Sequence, residues 1–478
     1  MTKGTRRVRV RALAAGAGRR AAGLRAWCPQ ELRLLLAGML LLRAAGFAYP
    51  FLSYLLAGKG HGPDTAGVVL AAFGAGWMSG QAACGRLLDR VGRRTTLVAA
   101  ALVSAAVLPL LTATSSPALL IAGALALGLV FDAPRVVVGA AIDELVPDPG
   151  RRAKVNALRY GLVVNGGALV AGGLGGLLAA RWGVDALYWV NATACAAFAV
   201  GALRRLPADR RGRASRARTS RSGGVRLTGR LALLLASGLA TMTALVGMAA
   251  AVPMMMAARG LSPEAYGLTA LVNSAAVIAL TPAMTPWLSR WAAGGRSMPG
   301  MVAVASVAVA VPMAAAALAR TTSGFAVAAA ACAPGEIAWF VATSHILRQL
   351  APPDRRGRYQ GVWGTVLAAA GTLSPLLAAW GLQRGEQALA AGTLATGLAG
   401  AALSLPLART PRPVPGPSSG GPGQRRGGYS DAEAPCDSVP PHAAGPRVSS
   451  SHLRRDSEAA QRKTPLAIKD ASSSARAS

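Results

Sequence analysis

Only a few ionisable side chains lie inside the long apolar runs of this 478-residue chain. They are Arg43 in the first run, Asp132 and Arg135 in the fourth, Arg159 near the start of the fifth and Glu336 in the tenth. Ionisable groups inside a membrane are costly, so each is a functional candidate. A carboxyl group in a low-dielectric cavity can bind and release a proton, and a nearby guanidinium favours its charged form. These residue types therefore predict proton coupling through Asp132 and Glu336, with Arg135 and Arg43 as partners.

A purely structural role for the same residues is also consistent with their spacing. Arg135 lies about one turn after Asp132 on the same helix face, and Arg43 is expected across from them. These three side chains could form a buried ion pair that only fixes the first run against the fourth. Glu336 follows Pro334-Gly335, so its carboxyl group could instead hydrogen-bond backbone groups at a helix break. Both interpretations stay open from the sequence.

The apolar runs that carry these residues are long enough to cross a bilayer, which takes about 20 residues of helix. Hydrophobic residues make up 53% of the chain and charged residues 15%, against about 25% charged in an average soluble protein. The sequence therefore predicts an all-α membrane protein with about twelve transmembrane helices. The predicted spans are 34–57, 65–86, 95–113, 117–141, 155–180, 185–203, 229–257, 264–288, 298–319, 322–347, 359–382 and 386–407.

The basic residues between the spans alternate between two sides. One set of loops is rich in arginine, whereas each alternate loop has about one basic residue. The sparse set is Lys59, Arg181, Arg259, Arg320 and Arg384. We call the two sides the arginine-rich side and the arginine-poor side. Since basic loops stay in the cytoplasm, we expect the arginine-rich side and both termini to be cytoplasmic, in the inner or plasma membrane.

Three basic or polar segments flank the spans. They are an N-terminal extension (1–31), a linker (204–228) and a tail (409–478) rich in Pro, Gly, Ser and Arg that is expected to be disordered. The extension lacks the continuous apolar stretch of a signal peptide. The net charge of +32 is concentrated in these segments and in the loops, so topology explains it and no nucleic-acid partner is expected.

A repeat divides the span region into two halves. The sequence LVPDPGRR at 145–152 closes the fourth span, and LAPPDRRG at 350–357 closes the tenth. Six spans separate the two copies. We therefore expect an N-terminal six-helix half at 32–203 and a C-terminal six-helix half at 229–408, which is the plan described for transporters with a binding site between paired repeats.

The hinge between the second and third spans reads GRLLDRVGRR at 85–94. It resembles the loop signature of the major facilitator superfamily, G-x-L-x-D-R-x-G-R-[RK], at every fixed position. RVVVG at 135–139 is similar to the family element R-x-x-Q-G, with Val138 in place of glutamine. GEI at 335–337 and RGRYQG at 356–361 are also similar to segments of its proton-linked drug exporters, and the resemblance covers about 32–408.

The resemblance implies a function and a role for the hinge. It implies drug:proton antiport, with the hinge acting as a latch for one conformation through its acid. The implied latch residues are Gly85, Asp89, Arg90, Gly92, Arg93 and Arg94. One element departs from the pattern. The fifth span of family antiporters contains G-x-x-x-G-P-x-x-G-G, but 167–176 reads GALVAGGLGG, so the Gly-Pro pair is missing.

Polar and aromatic residues at suitable depth are candidates for the wall of a substrate cavity, because such sites are mostly apolar with a few placed polar groups. The candidates are Asn165, Asn273, Trp339, Gln360 and Trp363. The patterns GWMSG at 76–80 and GGLGG at 172–176 allow close helix approach, as sliding faces or as static packing.

The sequence gives little support for disulfide, metal-binding, nucleotide-binding or enzyme chemistry. The scattered cysteines and the four histidines predict neither a disulfide framework nor a metal site. The chain has no phosphate-binding G-x-x-x-x-G-K-[ST] loop and no nucleophile–base pair or H-E-x-x-H motif. We therefore expect no cofactor and no enzyme activity.

The expected function is secondary active transport, namely proton-coupled export of a small, largely apolar compound by a monomer. An uptake symporter or facilitator remains as an alternative within this class. A membrane receptor or scaffold that acts through its basic tails remains as an alternative from another class.

Overall fold

The computed structural model describes residues 28–208, 225–294, 296–352 and 356–409. All the regular structure in this part of the chain is helical, and twelve helices or helix pairs are long and apolar enough to span a membrane. The prediction of an all-α protein with about twelve spans is confirmed. Spans one to twelve are Gln30–Gly58, Pro63–Val91, Arg93–Ala113, Pro117–Leu145, Leu162–Trp182, Val184–Arg205, Gly229–Ala258, Pro263–Ala293, Met298–Leu318, Thr322–Leu350, Arg358–Arg384 and Glu386–Ala408.

Three spans predicted as continuous runs are broken helices. Span one consists of Gln30–Ala44 and Ala48–Gly58, span four of Pro117–Phe131 and Ala133–Leu145, and span seven of Gly229–Val246 and Ala251–Ala258. A proline follows each break within a few residues, at Pro50, Pro134 and Pro253. Proline has no N–H and its ring clashes with the carbonyl four residues earlier, so the helix is interrupted before it.

The entry to span five is irregular in a different way. The α-helix Pro149–Leu158 passes into a π-helix, Arg159–Gly166, before the α-helix Gly167–Trp182. Such π-helical segments inside a helix are rare and are frequently found at functional sites. A short helix, Pro406–Arg409, ends the described chain.

We call spans one to six the N-half and spans seven to twelve the C-half. The loops that follow their first spans, on the arginine-poor side, are also repeated. Residues 59–64 read KGHGPD and residues 259–264 read RGLSPE, and Gly60 and Gly260 both have positive φ, at 81° and 69°. In the N-half, Lys59 donates to the Thr112 carbonyl, 2.7 Å away, at the end of span three. In the C-half, Arg259 donates to the Ala317 and Ala319 carbonyls at the end of span nine.

Close backbone contacts join the two halves near the arginine-poor side. A Cβ atom added to Gly67 of span two would contact Ala379 and the Pro375 carbonyl of span eleven, and a Cβ on Gly267 of span eight would lie 2.6 Å from the Gly176 Cα of span five. The Tyr54 hydroxyl donates to the Ser262 carbonyl, which joins the end of span one to the start of span eight. Glycine permits these backbone approaches because no side chain separates the helices.

The division into an N-terminal half at 32–203 and a C-terminal half at 229–408 remains a prediction. Most of the predicted extension 1–31, linker 204–228 and tail 409–478 lies outside the described residues.

Gly267→Ala is expected to destabilise the interface between the halves, because its methyl group would lie 2.8 Å from the Gly172 carbonyl oxygen. Overpacking of this kind costs about 1–3 kcal/mol, so the apparent Tm of the purified protein should fall by several degrees. The matched control is Gly201→Ala in span six, whose added Cβ meets nothing within 4 Å and should leave Tm unchanged or slightly higher. Equal Tm values for the two variants would contradict this description of the interface.

Candidate functional site

The centre of the candidate site is the break in span four. Asp132 lies between the two helices of this span, and its side chain is only 2% exposed. Pro134 lies in the first turn of the second helix and prevents continuous α-helix through this point. The break therefore places a carboxylate near the middle of the apolar layer, where only protein groups can satisfy it.

Four side chains surround this carboxylate. Arg135 Nε donates to Asp132 Oδ2 at 2.7 Å and Trp77 Nε1 donates to the same oxygen at 2.9 Å. Gln81 Nε2 donates to it as well. Arg43 Nη2 lies 3.8 Å from Asp132 Oδ1, on the other side of the carboxylate. We call these five residues the Asp132 cluster.

The cluster joins spans one, two and four of the N-half and reaches the C-half. Arg135 Nη2 donates to Gln81 Oε1 at 2.8 Å, which closes a ring of polar contacts with Asp132. The same guanidinium lies against Gly364 of span eleven, where an added Cβ would be 2.9 Å from Nη2. Arg159, in the π-helix, donates to the Arg135 carbonyl at 2.7 Å. The cluster is therefore at the boundary between the halves.

The C-half carries the second acid. Glu336 is partly exposed in span ten, directly after Pro334 and Gly335, and the Asn273 side chain of span eight contacts it. Asn273 Nδ2 also donates to the Ala329 carbonyl at 3.1 Å. Among the described residues, no cation pairs with Glu336, so the two acids have different surroundings. In the alternative interpretation, the Glu336 carboxyl group would hydrogen-bond backbone groups next to Pro334. The contacts of the described residues include no such hydrogen bond.

Two tryptophans lie near Glu336. Trp339 is one turn further along span ten, and its ring stacks on Trp363 of span eleven with 5.6 Å between centroids. Trp339 is fully buried, and its indole N–H has no hydrogen-bond partner within the described chain. Trp363 in turn lies against Gly238 of span seven.

The other two cavity candidates lie apart from these groups. Gln360 is exposed near the arginine-rich end of span eleven, and Asn165 is partly exposed in the π-helix of span five. Their role as cavity residues remains a prediction.

The hinge between spans two and three has a clear structural role within the N-half. Gly92 alone connects the two helices, with φ at 89°, a backbone conformation that favours glycine. Arg93 pairs with Glu31 at 3.1 Å and with Glu144 at 3.6 Å, and Arg94 donates to the Leu203 carbonyl at 2.6 Å. These contacts tie the starts and ends of spans one, three, four and six together.

The remaining predicted latch residues lie at the arginine-rich end of span two. Asp89 and Arg90 are exposed, and an added Cβ on Gly85 would meet nothing within 4 Å. The latch function of the six residues remains a prediction.

The two glycine patterns have different positions. Gly76 and Gly80 pack against the backbone of Leu125 and Leu129 in span four, within the N-half. Gly172 and Gly176 pack against span eight, between the halves. The first pattern therefore serves packing inside a half, and only the second lies where halves could slide.

Sequence reasoning missed three members of the site. Trp77 and Gln81 are four residues apart on one face of span two, and Gln81 is an amide side chain within that apolar run. That spacing was a usable signal. Gly364 gave no comparable signal, because its importance comes only from a long-range contact with Arg135. In the described part of the chain, no group of three or more His, Cys, Asp or Glu residues could hold a metal ion.

Comparisons with known proteins agree with this architecture. Residues 34–249 match the family model described as Major Facilitator Superfamily. A comparison with curated proteins finds no match.

Solved structures with a similar fold include three transporters. A POT family transporter in complex with 5-aminolevulinic acid has a TM-score of 0.65 at 12% identity, over 79% of this chain and 95% of that chain. A peptide transporter POT variant in complex with alafosfalin has a TM-score of 0.63 at 15% identity, over 80% and 95%. A variant of the nucleoside transporter NupG has a TM-score of 0.61 at 13% identity, over 79% and 99%. The chain thus has the twelve-span major facilitator fold.

Gly364→Ala tests whether the cluster depends on contact with the C-half. The new methyl group would lie 2.9 Å from Arg135 Nη2 and 3.5 Å from Gln81 Oε1, so the guanidinium must move away from span eleven. We expect a lower Tm, by a few degrees, in thermal unfolding of the purified protein. Gly361→Ala, one turn earlier on the same helix, has open space around its Cβ and should behave as wild type. A Gly364→Ala protein as stable as Gly361→Ala would show that the contact is not needed.

Proposed function

We propose that the protein is a secondary active transporter that moves a small, largely apolar solute across the inner or plasma membrane by alternating access. We propose export, driven by protons that move the other way. The observation that carries the proposal is the position of the Asp132 cluster. The cluster lies at mid-depth between the two six-span halves. The close contacts of Gly67 and Gly267 that join the halves lie nearer to the arginine-poor side.

The contacts near the arginine-poor side support an alternating mechanism. Gly67 and Gly267 occupy similar positions, four residues into spans two and eight, and each packs against a span of the other half. Opening this side requires these two contacts to separate together. Rocking of two rigid halves around a central site is the motion described for repeat-built transporters.

The surroundings of the two acids favour different roles. Asp132 is already the partner of two guanidinium groups and two further donors, so it serves best as the organiser of spans one, two and four. Glu336 has no cationic partner among the described residues and is hydrogen-bonded by the neutral Asn273 side chain, so we assign the proton-carrying role to Glu336. A carrier must change its charge during the cycle, which is easiest for an acid that no ion pair depends on.

Uptake by a symporter or facilitator is the second candidate. The missing Gly-Pro pair in span five removes an element of the resemblance to antiporters. Of the three solved neighbours, one is a peptide transporter by name, one is a POT family transporter in complex with 5-aminolevulinic acid and one is a nucleoside transporter, which favours a polar solute in this alternative. The direction of solute transport therefore has to be tested independently of proton coupling.

A proton-flux assay tests coupling. The purified protein is reconstituted into liposomes that contain a pH dye, a pH gradient is imposed, and a panel of lipophilic cations, neutral compounds and organic anions is added. Glu336→Gln should abolish solute-triggered proton movement, because the amide cannot exchange a proton. Asn273→Ala, which alters the neighbour without removing the acid, should retain measurable flux.

Solute movement without proton flux, equal in wild type and Glu336→Gln, would contradict proton coupling and leave a facilitator as the explanation.

The Asp132→Asn variant distinguishes the role of Asp132 from that of Glu336. It leaves Arg135 and Arg43 without their carboxylate, so we expect a loss of about 3–5 kcal/mol in stability, measured as a large fall in Tm. A stable Asp132→Asn protein that lacks only proton flux would instead make Asp132 the carrier.

A receptor or scaffold that acts through its basic tails is the alternative from another class. Removal of residues 409–478 discriminates between them. A transporter should keep its solute flux in liposomes after this truncation, since no described residue of the Asp132 cluster or the Glu336 region lies in the tail. Absence of solute flux in both the full-length and the truncated protein, together with a tail-dependent partner, would favour the scaffold.

A further inference from the structure

Arg43 differs from the other arginines of the site in how little of its hydrogen-bonding capacity is used. It lies near the end of the first helix of span one, and its side chain is 30% exposed. Among the described residues its guanidinium group makes an ion pair with Asp132 at 3.8 Å and lies 5.2 Å from the Phe131 ring centroid, but makes no hydrogen bond. An arginine side chain offers five N–H donors, and all five are available here.

The charges around Arg43 leave a positive excess. Asp132 is the acid shared by Arg43 and Arg135, and Arg135 holds it at hydrogen-bond distance, 2.7 Å, whereas Arg43 does not. One carboxylate therefore faces two guanidinium groups. Asp132 Oδ1, the oxygen nearest to Arg43, is buried and has no hydrogen-bond partner in the described chain. A cation at this depth is costly unless water or an anionic group accompanies it.

An aromatic wall lies beside this cation. Phe131 is the common neighbour: the Trp77 and Phe73 rings each lie 5.1 Å from it, and the Tyr49 ring lies 6.4 Å from it. Tyr49 also stacks on Phe73 at 4.5 Å. Trp77, Phe73 and Tyr49 are buried, whereas Phe131 is partly exposed. The Phe131 ring therefore offers an apolar surface that can pack against the body of a small molecule.

Tyr49 contributes the second unused polar group. Its side chain is only 7% exposed, and its hydroxyl group has no hydrogen-bond partner within the described residues. Buried hydroxyl groups are normally satisfied, so an unsatisfied one indicates a missing partner. Arg43 and Tyr49 both adjoin Phe131, one on each side of the break in span one.

We propose that Arg43 binds the anionic group of the transported solute and that the solute is a small organic acid with an apolar body, such as a monocarboxylate. This inference rests on the proposed transport function and specifies its substrate class. The carboxylate accepts hydrogen bonds from the Arg43 guanidinium, and the apolar body packs on the Phe131 ring. A single negative charge matches the excess of one positive charge at the Asp132 cluster, while the Tyr49 hydroxyl is positioned as a second donor.

Three probes with one ring and different charges test the proposal: benzoate, benzamide and benzylamine. Binding to the full-length protein in lipid nanodiscs is measured by isothermal titration calorimetry. Wild type should bind benzoate more tightly than benzamide, and benzylamine most weakly. Arg43→Gln should weaken benzoate binding about tenfold or more, as expected for loss of a charge-assisted hydrogen bond, and leave benzamide binding unchanged.

Two further variants keep the test valid if Arg43→Gln proves unstable. Arg43→Lys retains the charge and should keep part of the preference for benzoate over benzamide. Tyr49→Phe removes only the unpartnered hydroxyl and should weaken benzoate binding a few-fold. Arg320→Gln is the control, because this arginine pairs with Glu386 at the exposed arginine-poor end and should bind all three probes as wild type does.

Equal binding of benzoate and benzamide by wild type, or benzoate binding unaffected by Arg43→Gln, would overturn the proposal. The same probes, used in the liposome flux assay, test the anion-binding proposal independently of the transport function. Flux of benzylamine or benzamide without benzoate would keep the transporter and reject the organic anion. Arg43-dependent binding of benzoate without flux of any probe would keep the anion site and reject transport of this class.

Discussion

Asp132 is a carboxylate at the middle of the apolar layer, with its side chain only 2% exposed, so protein groups must satisfy its charge. That requirement draws together Arg43 from span one, Trp77 and Gln81 from span two and Arg135 from span four. The broken backbone of span four places the acid there, and Gly364 of span eleven leaves room for the guanidinium that pairs with it. One buried charge thus links the packing of the N-half to its boundary with the C-half.

The internal repeat gives the two halves similar helix arrangements, but the ionisable side chains at their centres differ. Both halves break their first span before a proline, and both use a basic residue after that span to hold carbonyl groups at the end of the third. In the N-half, two guanidinium groups surround one acid, whereas in the C-half Glu336 lies beside a neutral amide and two tryptophans. This division supports an account in which the N-half wall binds an anionic group and the C-half wall carries the proton.

Much of the fold followed from the sequence, because membrane spans need long apolar runs and basic loops mark their ends. The meeting of Arg43, Asp132 and Arg135 also followed, since costly charges in apolar runs are expected to pair. Other features did not. The breaks at Ala45–Phe47 and Gly247–Ala250 depend on which of many prolines interrupt a helix, and prolines such as Pro109 and Pro375 lie inside continuous helices. Gly364 and Tyr49 were missed because their importance comes from contacts between distant spans, which periodicity does not encode.

The central claim is that the contacts joining the halves near the arginine-poor side open and close. Distances between spin labels at Ser116 in the N-half and Arg320 in the C-half, both exposed on that side, test it most directly. Pulsed electron spin resonance of protein in nanodiscs, with and without a pH change, should give two populations, and the longer distance should become more populated in one condition. A single distance under every condition, in a protein that still transports, would contradict movement of the two halves.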